Sequence, residues 1–235
     1  MFFMIKIPKD LKLLSKMLDN KLYIVGGFLR DNLLKNKTHD IDLCSHFTIK
    51  QLQEKLNNSC YKVEPTNLQF GTAKIICKNN TWEYCTFRKD VYSPTGKHSP
   101  KKVEFVSTLE EDCLRRDFTI NAIYYDIANN KIIDPFGGKL DLEKRLLKAV
   151  PPATEILSHD GERLIRMAKF KAKLGLNIED NTFLLAKRYC NNIKDLSTQT
   201  INKFLLSVKN FNLKQKEELK QILNLLNAQE LAEKI

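Results

Sequence analysis

The chain has 235 residues, 43% of them hydrophobic, enough to bury a sizeable core in one large domain or two small ones. A formal net charge of +11 points to a polyanionic partner such as nucleic acid, although an AT-rich codon bias toward Lys gives the same excess. No apolar stretch approaches a membrane span, and the opening MFFMIKIPKD is interrupted by Lys6 and Pro8 before it can form a signal-peptide core. A cytoplasmic protein is expected, with a mitochondrial presequence as the lesser alternative. The six cysteines (44, 60, 77, 85, 113 and 190) show neither Cys-x-x-Cys pairs nor His partners at zinc spacing, and read as reduced thiols.

Residues 9–19 place Leu11, Leu13, Leu14, Met17 and Leu18 on the apolar face of an amphipathic helix. The run Leu22 to Val25 follows as a strand, then Gly26-Gly27, then a short helix over 28–36 carrying Phe28, Leu29, Leu33 and Leu34. Glycines at a helix N-terminus let backbone amides approach a phosphate, and the helix dipole favours an anion there. Arg30, in the first turn, reaches the same charge. Asp40 and Asp42 come next, spaced i, i+2 as on a strand, so that both face one side while Ile41 and Leu43 face the other. Two carboxylates that close repel unless a cation sits between them, which makes the pair a half-site for Mg²⁺ completed by water and substrate phosphates.

A helix near 48–57 precedes strand-like runs at 59–64, 71–77 and 81–87, the last carrying Trp82-Glu83-Tyr84. The stretch RKDVYSPTGKHSPKK (88–102), rich in Pro, Gly, Ser and Lys, is predicted to be a mobile surface loop. At the end of the helix TLEEDCLRR, residues 115–121 gather two cations, a carboxylate and an amide, a set suited to ribose hydroxyls and triphosphate oxygens. Further on, Asp160 and Arg163 are placed as i, i+3 neighbours on one face of a helix continuing to about Leu174. A carboxylate beside a guanidinium accepts from an exocyclic amine and donates to the adjacent ring nitrogen, the order that cytosine and adenine present and that guanine and uracil reverse. Such a template admits CTP and ATP and leaves buried groups unmatched against GTP and UTP. Beyond Gly175 the spans 179–191, 198–210 and 214–234 carry apolar residues at helical spacing. Lys169, Lys171, Lys173, Lys187, Arg188 and Lys194 are candidates for a basic face toward RNA, solvated lysines being the plain alternative.

The segment YIVGGFLRDNLLKNKTHDIDL (23–43) resembles the head-domain signature of class II tRNA nucleotidyltransferases (CCA-adding enzymes) and bacterial poly(A) polymerases, in the polymerase β superfamily. RRDFTINAIYYD (115–126), DPFGGKLDL (134–142) and DGERLIRMAKFKAKLGLNI (160–178) resemble that family's later motifs in the same order, so that the likeness covers residues 21 to about 180. The resemblance implies an α+β fold: a polymerase β-like nucleotidyltransferase head with a mixed sheet and flanking helices over 1–150, then an all-helical neck and shortened body over 151–235. It implies template-independent addition of C and A to tRNA 3′ ends with release of pyrophosphate, on Asp40 and Asp42 with two Mg²⁺ ions, and with CTP and ATP as substrates. One ion would lower the pKa of the RNA 3′-hydroxyl and the other grip the nucleotide phosphates.

By the same resemblance Glu83 is a third catalytic carboxylate, and Gly26, Gly27 and Arg30 meet the nucleotide phosphates. Arg116, Asp117 and Asn121 meet the sugar and phosphates, and Asp160 and Arg163 read the base with Arg166 in support. The implied partner is the acceptor stem and 3′ end of tRNA, with no membrane and a monomer or weak homodimer. Two departures stand out: the family's Arg-His-Pro loop run is Lys97-His98-Ser99-Pro100, and its Glu-Asp-x-x-Arg has His159 at the Glu position. CC-adding or A-adding partial enzymes and small poly(A) polymerases share every quoted motif, although Phe28-Leu29 replaces the paired basic residues that follow the Gly motif in the latter. From another class, a non-catalytic RNA-binding relic is the alternative.

Overall fold

The structure, a computed structural model, describes residues 5–92 and 100–235. The chain divides into two compact units. The first comprises the described residues of Met1–Asp90, Val103–Arg116 and Ile120–Leu142, and the second those of Val91–Lys102, Asp117–Thr119 and Glu143–Ile235. The second unit thus begins at Glu143 rather than at the expected residue 151, and takes in two segments from earlier in the chain.

In the first unit α1 (Lys9–Met17) leads into β1 (Tyr23–Val25), α2 (Gly27–Leu33), β2 (Asp42–Ser45) and α3 (Ile49–Lys55). Then come β3 (Lys62–Asn67), β4 (Thr72–Cys77), β5 (Asn80–Thr86) and a ribbon formed by β6 (Arg88–Val91) and β7 (Lys102–Phe105). The helix α4 (Leu109–Cys113), the strands β8 (Tyr124–Asp126) and β9 (Lys131–Ile133), and the helix α5 (Gly138–Glu143) complete it. Seven strands form one sheet in the order β3-β4-β5-β2-β1-β8-β9. Only β2 and β5 pair in parallel, with Asp42 opposite Glu83; the other neighbours are antiparallel, which makes the sheet mixed as expected.

Short β1 holds an interior place beside central β2 because its apolar residues are covered: Ile24 and Val25 are buried, and Val25 packs with Cys44, Phe87, Leu109, Cys113 and Tyr124. Burying each large apolar side chain of this kind contributes about 1.5–3 kcal/mol. The helix read near 48–57 begins with a capping box, in which Thr48 Oγ1 accepts from Gln51 N at 3.4 Å and Gln51 Oε1 accepts from Thr48 N at 2.8 Å.

The expected loop over 88–102 needs a correction, because its flanks are strands. Val106 N donates to Phe87 O at 3.0 Å, and the Arg88 guanidinium is fixed by Phe70 O at 2.7 Å and Asp90 at 2.8 Å. Lys97, His98 and Ser99 lie outside the described residues.

The second unit is mostly helical: α6 (Ala153–Ser158), α7 (Gly161–Leu174), α8 (Asp180–Arg188), α9 (Thr198–Val208), α10 (Leu213–Leu225) and α11 (Gln229–Glu233). It also holds a small parallel pair, β10 (Leu146–Leu147) with β11 (Asn177–Ile178), which periodicity did not indicate. Helix α7 is its axis, burying Leu164, Ile165, Met167, Ala168 and Phe170. It stops at Gly175, whose φ of 61° is a left-handed cap open to glycine at little cost, and Arg145 Nη2 donates to Leu174 O at 2.6 Å. The helix expected over 214–234 is broken after Leu225, where Asn227 adopts a φ of 55° and Ala228 N donates to Leu223 O. Asn is among the few residues that tolerate this conformation.

Candidate functional site

In the first unit the Gly26-Gly27 turn sits between the end of β1 and the start of α2. Gly26 has φ 76° and ψ −129°, a conformation that favours glycine. A Cβ placed there would lie 3.9 Å from Asp42 Oδ2, from Arg116 Nη1 and from Asn121 O, so the turn, one carboxylate and one guanidinium converge. Arg30 is buried beneath α2, where Nη1 donates to Asn121 Oδ1 at 2.7 Å and Nε pairs with Asp31 at 2.8 Å.

Strand β2 begins at Asp42, so Asp40 stands just ahead of the strand rather than on it. The alternation nevertheless holds across the pair: Asp40 and Asp42 are exposed while Ile41 and Leu43 are buried. Loss of solvent and the Glu83 charge across the β2–β5 pairing push the Asp42 carboxyl up to about 6, Arg116 opposes this, and Asp40 adds to it. A carboxylate raised by its like-charged neighbours is one whose charge a cation would relieve, and its donors are the hard oxygens that Mg²⁺ prefers. Among the described residues no three of His, Cys, Asp and Glu are grouped to hold a metal ion.

Arg116 is held by an anchor that sequence reading missed. Asp112, fully buried, accepts from Arg116 Nη2 at 3.0 Å, Arg115 Nε at 2.8 Å, Tyr124 Oη at 2.8 Å and Arg88 N at 3.2 Å. Burial acts to raise its pKa, but Arg115 and Arg116 outweigh it and hold the carboxyl well below the usual carboxylate range. Arg116 also donates from Nε to Tyr124 Oη at 2.7 Å and lies over that ring. The only sequence signal was the spacing of an Asp three and four residues ahead of two arginines on a helix.

In the second unit Asp117 is directed at Arg166: its Oδ2 accepts from Nε at 2.8 Å and Nη2 at 2.7 Å, and its Oδ1 accepts from Phe118 N. Asp117 in turn holds the Arg166 guanidinium above its ordinary pKa, against burial. Asp160 corrects the expected picture of two residues on one helix face. It is the N-cap of α7, outside the helix, with Oδ1 accepting from Glu162 N at 2.8 Å and Oδ2 3.9 Å from Arg163 Nε. Burial pushes its carboxyl up to about 6, against the pull of Arg163. Arg163 is buried, donating from Nη1 to Ile156 O at 2.9 Å and from Nη2 to Tyr92 Oη at 3.0 Å. Tyr92 was also missed, as an aromatic within what read as a loop. Of the candidate basic face, Lys171 is paired with Glu218 at 2.7 Å and Lys169 donates to Ser207 Oγ.

Residues 22–148 match the family described as "Poly A polymerase head domain". A CCA-adding enzyme of Streptococcus sanguinis is 37% identical over 180 residues, which cover 76% of this chain and 43% of the relative. The chain therefore spans less than half the length of that curated relative. Among solved structures, a CCA-adding enzyme of Bacillus stearothermophilus in complex with CTP matches with a TM-score of 0.74 at 24% identity, over 94% of this chain and 52% of that one, a likeness of fold. A tRNA nucleotidyltransferase solved with a primer tRNA and an incoming ATP analog matches with a TM-score of 0.73 at 26% identity, over 94% and 61%. Because the family match takes in more than half of a chain whose sheet carries the Gly turn and the carboxylates in the expected order, this protein belongs to the poly(A) polymerase head-domain family.

Proposed function

We propose that the chain is the catalytic portion of a template-independent tRNA nucleotidyltransferase that adds C and A, drawn from CTP and ATP, to tRNA 3′ ends. The observation that carries this is the meeting of Asp42, Arg116 and the Gly26 turn within one small space of the head. The relatives' names and the CTP, ATP-analog and primer-tRNA complexes of similar proteins agree with it.

In this reading the backbone of the turn at Gly26 and Gly27 and the Arg116 guanidinium hold the triphosphate, because both present donors to oxygen anions. Arg30 and Asn121 keep the start of α2 in place through their mutual hydrogen bond. Asp42, with Asp40, is where Mg²⁺ would be held, and Glu83 stands opposite to keep that position negative. When bound, the metal supplies neutralisation of phosphate charge and a lowered pKa for the attacking 3′-hydroxyl. Asp160 and Arg163 present an acceptor and a donor to the Watson–Crick edge of cytosine or adenine, and Asp117 orients Arg166 beside them in the same unit.

The test is incorporation of each labelled NTP, offered singly, into tRNA ending at the discriminator base, at C and at CC. C and then A added in order supports full CCA addition. Addition on only one of the three ends makes the chain a partial enzyme, and A added repeatedly makes it a poly(A) polymerase. No incorporation by wild type with Mg²⁺ present overturns the enzymatic reading in favour of an RNA-binding relic.

A further inference from the structure

Arg163 does not rely on Asp160 alone, since their closest approach is 3.9 Å. Among the described residues Ile156 O also takes its Nη1 at 2.9 Å, and Tyr92 Oη its Nη2 at 3.0 Å. The guanidinium carbon also lies 5.5 Å from the centre of the Tyr92 ring. Tyr92 in turn stacks on His159, ring centroids 5.2 Å apart and planes 19° from parallel. Its backbone is steadied on the preceding residue, where Lys101 N donates to Val91 O at 2.8 Å. All of these groups belong to the second unit.

We propose that Tyr92 and His159 form an aromatic clamp that positions Arg163, so that the pair sets the selectivity of the base-reading site. The proposal rests on the base-reading role of Asp160 and Arg163 and deepens it. A guanidinium on a long side chain reads a base edge only if its plane is fixed, because each wrong orientation turns a matched donor into an unmatched one. The carbonyl of Ile156 fixes one end of that plane. Tyr92 fixes the other through its hydroxyl and its ring face, and the His159 ring backs the tyrosine. His159 stands where the family's motif has Glu. A carboxylate there would hold a cation by charge, whereas the imidazole contributes by stacking on the ring that holds the cation. Tyr92 and His159 are positioning residues, acting through Arg163.

The experiment compares wild type with Tyr92→Phe, Tyr92→Leu and His159→Ala. It measures equilibrium binding of CTP and UTP with Mg²⁺, and steady-state incorporation of CTP and UTP into tRNA lacking its CCA end. Tyr92→Phe keeps the ring and removes only the hydroxyl. It should cut the CTP-to-UTP preference by about tenfold through KM, with kcat for CTP within about twofold of wild type. Tyr92→Leu should cut the preference further, and His159→Ala less than Tyr92→Phe. Thermal unfolding of each variant accompanies the kinetics, and Tyr92→Phe should melt within a few degrees of wild type.

If wild type prefers CTP to UTP and all three variants keep that preference, the clamp is wrong while the base-reading assignment stands. If wild type shows no preference in binding or incorporation, the base-reading assignment falls and the clamp with it. A uniform loss of kcat on both nucleotides, with the preference intact, likewise overturns the clamp, since it marks a merely structural tyrosine.

Discussion

Asp42 in the first unit and Asp160 in the second both have carboxyls pushed up to about 6, and they differ in the charges that surround them. Loss of solvent acts on both. Around Asp42 the next largest influence is another acid, Glu83, with Asp40 adding to it, whereas around Asp160 it is a base, Arg163. Asp160 is satisfied within its own chain, capping α7 through Glu162 N. Asp42 is exposed among acids on the edge of the Gly turn. The head thus keeps a negative site that a cation completes, and the helical unit keeps a charge pair whose hydrogen-bonding pattern is already set. In the proposed function the first of these holds phosphates and the second chooses among bases.

Neutralising Asp42 is expected to have the largest effect. Asp42→Asn should lower NTP incorporation by a hundredfold or more, because metal-derived charge stabilisation is worth several kcal/mol. Its melting temperature should not fall, since the change removes repulsion from Glu83 and Asp40. Incorporation near wild type on tRNA lacking CCA would remove Asp42 from the metal site. The reverse behaviour is expected of Asp112, the acid in the first unit that is fully paired. Asp112→Asn takes from the half-buried Arg115 and Arg116 the buried carboxylate that pairs with both, and should cost about 3 kcal/mol in denaturant unfolding. A loss of activity without a loss of stability would show that Asp112 is not the anchor described.

The same contrast explains what could be read from the residues alone. Features that depend on local order were legible: the apolar and acidic alternation around Asp42, the Gly turn ahead of α2, the helix near 48–57, and the reach of α7 to Leu174. Asp112 was not, because its role arises when Arg88 N and Tyr124 converge on it from elsewhere in the chain. Tyr92 was hidden for a related reason, since its partners Arg163 and His159 are about seventy residues away. The place of residues 91–92, 100–102 and 117–119 in the second unit has no local signal either: Asp117 belongs there through Arg166, and Phe118 through an edge-on contact with Phe170 at 5.9 Å. Periodicity also carried the last helix through Asn227, because a left-handed residue interrupts the backbone without interrupting the apolar pattern.

The pH dependence of Asp160 sharpens the comparison by a smaller amount. Its folded pKa, about 6, lies above its ordinary value, so its contribution to stability is fully present below the unfolded pKa and is lost as pH rises through about 6. Asn caps a helix about as well as Asp and carries no charge to bury. Asp160→Asn should therefore gain stability relative to wild type between pH 4 and pH 7, by at most about 3 kcal/mol. Denaturant unfolding at the two pH values checks this, and a difference that stays constant or runs the other way would mean that the carboxyl is not raised. Over the same range wild type should discriminate better against UTP as pH rises, because the protonated carboxyl gains an O–H donor that uracil can accept, whereas the ionised carboxylate only accepts.

The smallest effect separates the two glycines of the turn ahead of α2. A Cβ at Gly26 meets its nearest atoms at 3.9 Å and at Gly27 at 3.6 Å, ordinary contact in both cases, so crowding does not distinguish them. Backbone conformation does, because Gly26 alone has a positive φ, at 76°. Gly26→Ala should cost about 1–3 kcal/mol from the positive-φ backbone alone. Gly27→Ala, in the first turn of α2, should leave stability unchanged or raise it by up to about 1 kcal/mol, since Ala favours a helix more than Gly does. Equal losses in chemical denaturation would mean that the turn is set by close approach of its neighbours and not by the dihedral angle at Gly26. A loss confined to Gly26→Ala, with a raised KM for CTP, would tie the left-handed residue to the holding of phosphates.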